Sequence, residues 1–155
     1  MISSKVLYSA VIATPEEMFE LGLRLAKQLR AGDLALLIGP LGAGKTTLAR
    51  GVGVGLEVEG NVSSPTFVIA RTHKRGENAP LVHVDAYRLK TAHELDDLDI
   101  PFKDSIVLVE WGKGLTEEIT DSWLEIEIER DRSGATEERK ITITGYGERW
   151  AEVIF

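Results

Sequence analysis

The chain has 155 residues, a length that favours one domain with a buried hydrophobic core, and residues 1–155 are interpreted as a single domain. A net charge of -7 argues against a basic face for duplex nucleic acid, and the lack of cysteine excludes disulfides, thiol nucleophiles and cysteine-ligated metals. Since no apolar run reaches about 18 residues, we expect a cytoplasmic protein that does not contact a membrane.

The first predicted elements are a strand at residues 6–12 and the helix that follows it. Thr14, Pro15 and Glu17 indicate the helix start, with Thr14 as the N-cap. Gly32 is expected to end this helix as its C-cap. One face of the helix is apolar and consists of Met18, Leu21, Leu25 and Leu29.

Later segments alternate between strand and helix patterns. The apolar run 34–38 predicts a strand buried on both faces, followed by a glycine-rich turn and a helix at about residues 45–56. Further strands are predicted at 67–72, 81–84, 106–110, 123–129 and 139–144, of which the last two form an antiparallel hairpin. The remaining predicted segments are a polar turn at 73–80, a short acidic helix at 92–98 and a closing helix at 146–154. This order predicts an α/β fold of the P-loop NTPase type, with a mixed, mainly parallel sheet flanked by helices.

Residues 39–47 read GPLGAGKTT and fit the phosphate-loop pattern G-x-x-x-x-G-K-[ST]. Glycines let such a loop curl around phosphate oxygens, while its N–H groups and the following helix N-terminus attract the anion. Lys45 is expected to reach the β- and γ-phosphates. The Thr46 hydroxyl is expected to ligate Mg²⁺, with Thr47 as a further phosphate donor.

Two carboxylates are candidates for the metal side of this loop. Asp85 follows the predicted strand 81–84, and Glu110 ends the predicted strand 106–110. Both lie where ligands bind in open α/β sheets, at the carboxyl ends of strands. The sequence leaves open which of the two acids is essential.

The other polar residues have plainer interpretations. His73 and His93 are expected at the surface, whereas His83, which alternates with Asp85, either faces the site or is structural. A hydroxyl in the segment 64–67 could act as a switch toward Mg²⁺ or phosphate, or the segment is a rigid turn. Two charged clusters are interpreted as solvated faces: Glu94, Asp96, Asp97 and Asp99, and Arg71, Lys74, Arg75 and Arg88. The alternatives are contact with a basic partner for the acidic cluster, and with tRNA or an acidic protein for the basic one.

The motifs together resemble the TsaE (YjeE) family, small bacterial P-loop ATPases needed for the threonylcarbamoyladenosine modification of tRNA. The resemblance covers about residues 10–130. It rests on residues 39–47 (GPLGAGKTT), 64–67 (SPTF), 83–88 (HVDAYR) and 109–111 (VEW).

The resemblance implies ATP and Mg²⁺ as cofactors and assigns roles to individual residues. Lys45, Asp85 and Glu110 would be catalytic, with Asp85 in the Walker B position and Glu110 as a candidate to orient the attacking water. The metal residues would be Thr46, Asp85 and Glu110. The nucleotide would be contacted by Thr14, Leu41, Gly42, Ala43, Gly44, Lys45, Thr46, Thr47, Thr66 and Trp111, with Glu16 as the alternative to Thr14 near the base.

The resemblance also implies an accessory role beside the TsaD–TsaB pair, with tRNA as an indirect substrate of the complex. We expect slow hydrolysis that a partner stimulates, and a monomer when the chain is alone. A small-molecule kinase remains the alternative, with Arg130, Arg132 and Arg139 as lid candidates. A nucleotide-binding assembly factor without useful hydrolysis also remains open, whereas the lack of an N-K-x-D motif argues against a GTPase.

Overall fold

A computed structural model describes residues 2–40, 42–62, 70–87, 89, 91–111, 114, 119–131, 133 and 136–155. Leu41 and the predicted switch segment 64–67 lie outside the described residues. The strands are β1 (Ser4–Ile12), β2 (Leu34–Ile38), β3 (Ala70–Arg75), β4 (Asn78–Asp85), β5 (Ile106–Glu110), β6 (Trp123–Arg130) and β7 (Arg139–Tyr146). The α-helices are α1 (Pro15–Ala26), α2 (Lys45–Gly55) and α3 (Ala92–Asp96). Within the described residues, no helix is long and apolar enough to cross a membrane.

The described strands form one mixed sheet in the order β1-β7-β6-β2-β5-β4-β3. β2 runs parallel to β5 and β6, and β4 runs parallel to β5. β7 is antiparallel to β1 and β6, and β3 is antiparallel to β4. Only β3 and β7 therefore oppose the common direction of the described strands, which confirms the predicted mixed, mainly parallel α/β fold.

The core occupies both faces of this sheet. Ala35 and Leu37 of β2 belong to a large cluster shared with α1 and α2, whereas Leu34 and Leu36 belong to a second cluster on the opposite face. Burial on both faces explains why the sequence of β2 is a continuous apolar run rather than an alternating one. The predicted ends of β2 and β5 are both confirmed.

Helix α1 starts as predicted but ends earlier than predicted. Thr14 Oγ1 accepts a hydrogen bond from the Glu17 N–H at 3.1 Å, and Glu17 Oε2 accepts one from the Ala13 N–H at 2.8 Å. The helix ends at Ala26, so the prediction that Gly32 is its C-cap was wrong. Gly32 has a φ of 95° and turns the chain toward β2, where its N–H donates to the Ser105 carbonyl.

The β3–β4 hairpin is longer than predicted, and the prediction of a polar turn at 73–80 was wrong. The two strands continue to Arg75 and from Asn78, so the turn is confined to Gly76 and its neighbour. Gly76 has a φ of 61°, which a glycine adopts without strain. Polarity misled the prediction because this hairpin exposes one face to water.

The prediction of a closing helix at 146–154 was also wrong. β7 continues to Tyr146, and only a 3₁₀ turn over Glu148–Trp150 follows. The Arg149 Nε atom lies 3.0 Å from Asp33 Oδ1, and the Trp150 side chain is buried. The ion pair fixes the turn to the segment before β2, and Trp150 fixes it to the hydrophobic core. The stability of the turn therefore comes from tertiary packing rather than from helix formation.

The surface predictions hold for part of the charged residues. His93 is exposed as expected, and so are the side chains of Glu94 on α3 and of Asp97, the C-cap that follows α3. Arg75 is partly buried instead, because its guanidinium donates to the carbonyls of Leu56 and Ala79. Arg88 lies outside the described residues.

His73 was wrongly expected at the surface, since only 6% of it is exposed. Burial lowers its pKa from 6.5, with further lowering from His83 and Arg71 and an opposing hydrogen bond to the Glu59 backbone. The unfolded chain therefore binds a proton at a higher pH than the folded chain does, and stability falls as the pH drops below about 6.5.

Replacement of His73 by leucine is expected to reduce this acid sensitivity. Thermal unfolding at pH 7.5 and pH 5.5 checks it, with His93→Leu as the control at an exposed histidine. The drop in melting temperature between the two pH values should be smaller in His73→Leu than in the wild type, and unchanged in His93→Leu. An equal drop in all three proteins would contradict the expectation.

Candidate functional site

The phosphate loop connects β2 to α2, as the sequence predicts. Gly42 and Gly44 have φ angles of 77° and 111°, which side chains other than glycine adopt at a cost. A Cβ atom at Gly39 would lie 2.8 Å from the carbonyl oxygen of Ile128, so β6 also requires glycine here. Gly44 is the N-cap of α2, and the positive end of this helix therefore faces the loop.

Lys45 lies almost buried at the start of α2, with 5% of its surface exposed. Its Nζ donates to the Gly39 carbonyl at 2.6 Å and lies 3.5 Å from the centre of the Trp111 ring. Burial lowers the pKa of the Lys45 ammonium, while Glu110 and Asp85 counteract part of this lowering. The lysine is thus held at the loop, within the electrostatic field of both candidate acids.

Asp85 and Glu110 lie side by side at the edge of the sheet where the phosphate loop begins. The two are direct partners across the parallel strands β4 and β5, and Glu110 is also the partner of Leu37 on β2. Asp85 Oδ1 accepts a hydrogen bond from the Tyr87 N–H at 3.0 Å. The geometry therefore brings together the lysine and the two acids that the sequence singled out.

His83 reaches the same site from within β4. Its Nε2 lies 2.6 Å from Oε2 of Glu110, and the histidine is 0% exposed. Of the two interpretations that the sequence left open, the structure shows the one in which His83 faces the candidate acids.

Trp111 follows Glu110 in a strained backbone conformation. Its φ is 65°, a value that is rare for a bulky side chain and typical of functional sites. The ring lies 5.4 Å from that of Tyr87, edge to face, and Tyr87 is 71% exposed. Tyr87 is therefore a site residue that was not predicted, although it belongs to the motif HVDAYR.

Thr14 faces the other end of the phosphate loop. A cavity of about 220 Å³ separates the start of α1 from the loop. Its lining residues are Ile12, Thr14, Pro15, Met18, Gly42, Ala43, Gly44, Thr47, Glu137 and Arg139. The structure therefore brings Thr14 next to the loop, while Leu41 and Thr66 lie outside the described residues.

Arg130 lies at the phosphate loop, although it was predicted only as a residue of a kinase lid. A Cβ atom at Gly42 would lie 3.3 Å from Nη1 of Arg130, so the guanidinium lies over the loop. Arg139 lines the cavity beside Thr14, and Arg132 lies outside the described residues. This position follows from the sheet order, in which β6 is the neighbour of β2, and no pattern in the sequence indicated that order.

The donor set at the sheet edge fits a hard cation. Asp85 and Glu110 offer carboxylates at the strand ends, and Thr46 offers a hydroxyl in the first turn of α2. Such oxygen atoms are the ligands that Mg²⁺ prefers. Mg²⁺ commonly takes one or two protein carboxylates and completes its shell with phosphate oxygens and water. A nucleotide phosphate on the neighbouring loop would supply the remaining ligands.

Comparison with known proteins identifies the family. The profile of the family described as "Threonylcarbamoyl adenosine biosynthesis protein TsaE" matches residues 12–141. The chain belongs to the TsaE family. The matched range runs from the end of β1 into β7, so it contains the phosphate loop, both candidate acids and Arg130.

Curated TsaE proteins resemble this chain over most of their length. The "tRNA threonylcarbamoyladenosine biosynthesis protein TsaE" of Streptomyces coelicolor is 57% identical over 139 residues, which cover 86% of this chain and 94% of the relative. The Bacillus subtilis protein of the same name is 37% identical over 137 residues, covering 88% and 84%. The crystal structure of Bacillus subtilis YdiB matches with a TM-score of 0.76 at 32% identity, over 97% of this chain and 90% of that chain.

Proposed function

We propose that this TsaE-family chain is a P-loop ATPase that acts with TsaD and TsaB in forming N6-threonylcarbamoyladenosine beside the anticodon of tRNA. The observation that carries the proposal is the convergence of Lys45, Asp85 and Glu110 on the phosphate loop. Membership of the TsaE family supports the role in tRNA modification, and the geometry of these three side chains supports ATP hydrolysis. The expected location is the cytoplasm, where tRNA is modified.

ATP would be held by the loop and by the first turn of α2. Backbone N–H groups between Gly42 and Thr47 would bind the phosphate oxygens, and Lys45 would add a positive charge. Bound Mg²⁺ would neutralise charge on the phosphates, with Thr46, Asp85 and Glu110 as its available protein ligands. Thr14 and the cavity beside it would accommodate groups at the far end of the nucleotide.

Water attack on the γ-phosphate needs a group that orients the water. Glu110 is the candidate, because its carboxylate lies at the loop and is held in place by a second side chain. Asp85, its partner on β4, would then serve the metal. Arg130 adds a positive charge over the loop at Gly42, where negative charge accumulates on the phosphates.

The kinase alternative fits the hairpin poorly. Kinase lids move over a second substrate, whereas Arg130 and Arg139 lie at the ends of β6 and β7, strands paired within the sheet. β6 is also paired with β2, which carries the phosphate loop. Arginines held in paired strands do not move as a lid does, which favours transfer of the γ-phosphoryl group to water over transfer to a second substrate.

The direct test is ATP hydrolysis by the purified chain, alone and with TsaD–TsaB. We expect slow turnover that rises several-fold with the pair and disappears in Lys45→Ala. The exposed Lys74→Ala variant is the matched control, and its turnover should equal that of the wild type. ATP binding without stimulation by the pair would contradict the proposal and favour a kinase, which a screen of small acceptors would detect.

A non-enzymatic assembly role makes a different prediction. In a strain depleted of its own TsaE, Glu110→Ala should bind ATP and fail to restore growth if hydrolysis matters. Restored growth by this variant would instead show that nucleotide binding alone suffices.

A further inference from the structure

The contact between His83 and Glu110 places a buried imidazole directly behind a candidate catalytic acid. In register, His83 is paired with Leu108 and Asp85 is paired with Glu110. The imidazole thus lies two residues further from the carboxyl ends of β4 and β5 than the two acids do. From there its Nε2 reaches a single oxygen of Glu110, Oε2, at 2.6 Å.

The hydrogen bonds of this histidine are asymmetric. A carboxylate oxygen accepts, so the Nε2–H of His83 is the donor to Glu110. Within the described residues, Nδ1 of His83 is fully buried and has no hydrogen-bond partner. Burial of an unpaired nitrogen costs free energy that an apolar side chain would avoid. This cost indicates that the Glu110 contact, and not core packing, is what the imidazole contributes.

We propose that His83 is a positioning residue that holds Oε2 of Glu110, so that Oε1 is the oxygen presented to the water or metal at the phosphate loop. His83 does not itself touch the nucleotide in this scheme, since it acts through the carboxylate. A glutamate at the end of a strand has several side-chain rotamers, and one fixed oxygen removes most of that freedom. The inference rests on the proposed ATPase function for its effect on turnover.

Three substitutions separate positioning from simple packing. In His83→Gln the side-chain amide N–H extends as far as Nε2 of the histidine does. In His83→Asn the amide N–H extends only as far as Nδ1, and in His83→Leu there is no hydrogen-bond donor. We expect the stimulated kcat to fall about tenfold or more in the leucine and asparagine variants and to stay within about threefold of wild type in the glutamine variant. The Kd for ATP should stay within about threefold in all of them.

Two further comparisons test whether the effect passes through Glu110. In a Glu110→Gln background, His83→Leu should cause no additional loss of kcat, because the carboxylate that it positions is already gone. His73→Leu is the matched control, since it removes another buried imidazole from the adjacent strand β3. Its kcat should remain within about twofold of wild type. Equal losses in His83→Gln and His83→Leu, or additive losses with Glu110→Gln, would overturn the proposal.

A readout without turnover keeps this inference separate from the proposed function. In nucleotide-free crystal structures, the Glu110 carboxylate should move from its place in His83→Leu and keep it in His83→Gln. If the wild-type chain hydrolyses no ATP even with TsaD–TsaB, the ATPase proposal fails while this structural comparison still stands. An unmoved carboxylate in His83→Leu would overturn the positioning role whatever the ATPase result.

Discussion

Gly51→Ala is expected to destabilise the protein strongly, although alanine is the better helix former. α1 and α2 cross so closely that a Cβ atom at Gly51 would overlap the carbonyl oxygen of Phe19, and one at Gly22 would overlap that of Leu48. The helix preference for alanine contributes about 1 kcal/mol, whereas forcing packed backbones apart costs about 1–3 kcal/mol or more. Because the obstacle is backbone on both sides, we expect a net loss of about 2 kcal/mol, which lowers Tm by roughly 4–8 °C.

Thermal unfolding of Gly51→Ala beside Arg50→Ala measures this cost. Arg50 precedes Gly51 on α2 and is exposed, so its replacement should change Tm by no more than about 2 °C. ATP affinity should also fall in Gly51→Ala, because α2 begins at the phosphate loop and would be displaced. Equal melting temperatures for the two variants would show that the helices do not make the described contact.

Lys45→Met is expected to stabilise the nucleotide-free protein and to abolish its response to ATP. Burial lowers the pKa of the ammonium, so the charged side chain is less stable in the folded protein than in the unfolded chain. Methionine fills a similar volume without this penalty, and water can reach the half-buried Gly39 carbonyl in place of Nζ. We expect Tm without nucleotide to rise by about 2–4 °C, equivalent to about 1 kcal/mol.

The same melting experiment with ATP and Mg²⁺ measures how much nucleotide binding is lost in Lys45→Met. At about 100 times its Kd, a ligand stabilises the folded state by about 2.7 kcal/mol, which corresponds to roughly 5–10 °C. The wild type should show this increase, and Lys45→Met should not. Lys74→Met, at an exposed position of β3, should behave as the wild type does in both conditions. A lower Tm for nucleotide-free Lys45→Met would mean that the contacts of Lys45 with Gly39 and Trp111 outweigh the burial penalty.

The sequence predicted those elements whose signals are local. The Thr14 cap, the apolar runs of β2 and β5 and the glycine pattern of the phosphate loop each depend on neighbouring residues, so their positions could be read directly. The meeting of Asp85 with Glu110 was predictable because parallel strands end at one edge.

Features set by tertiary contacts were not predictable in this way. The polar composition of residues 73–80 predicted a turn, whereas these residues belong to two strands and include the buried His73. A hairpin with one solvent-exposed face can have the composition of a loop. The position of Arg130 over Gly42 depends on β6 being the neighbour of β2, which no local pattern reveals. Pairing of His83 with Glu110 likewise joins residues from two strands, so the sequence could only leave its role open.

The sheet order has a consequence for synthesis on the ribosome. β2, which carries the phosphate loop, lies between β5 and β6, and both are translated long after it. In the described sheet β1 is paired with β7, which is the last of the described strands along the chain. Such high contact order predicts slow folding and leaves the apolar β2 unpaired in the nascent chain, where a chaperone would bind it. The phosphate loop therefore acquires its shape only after β5 and β6 have been translated.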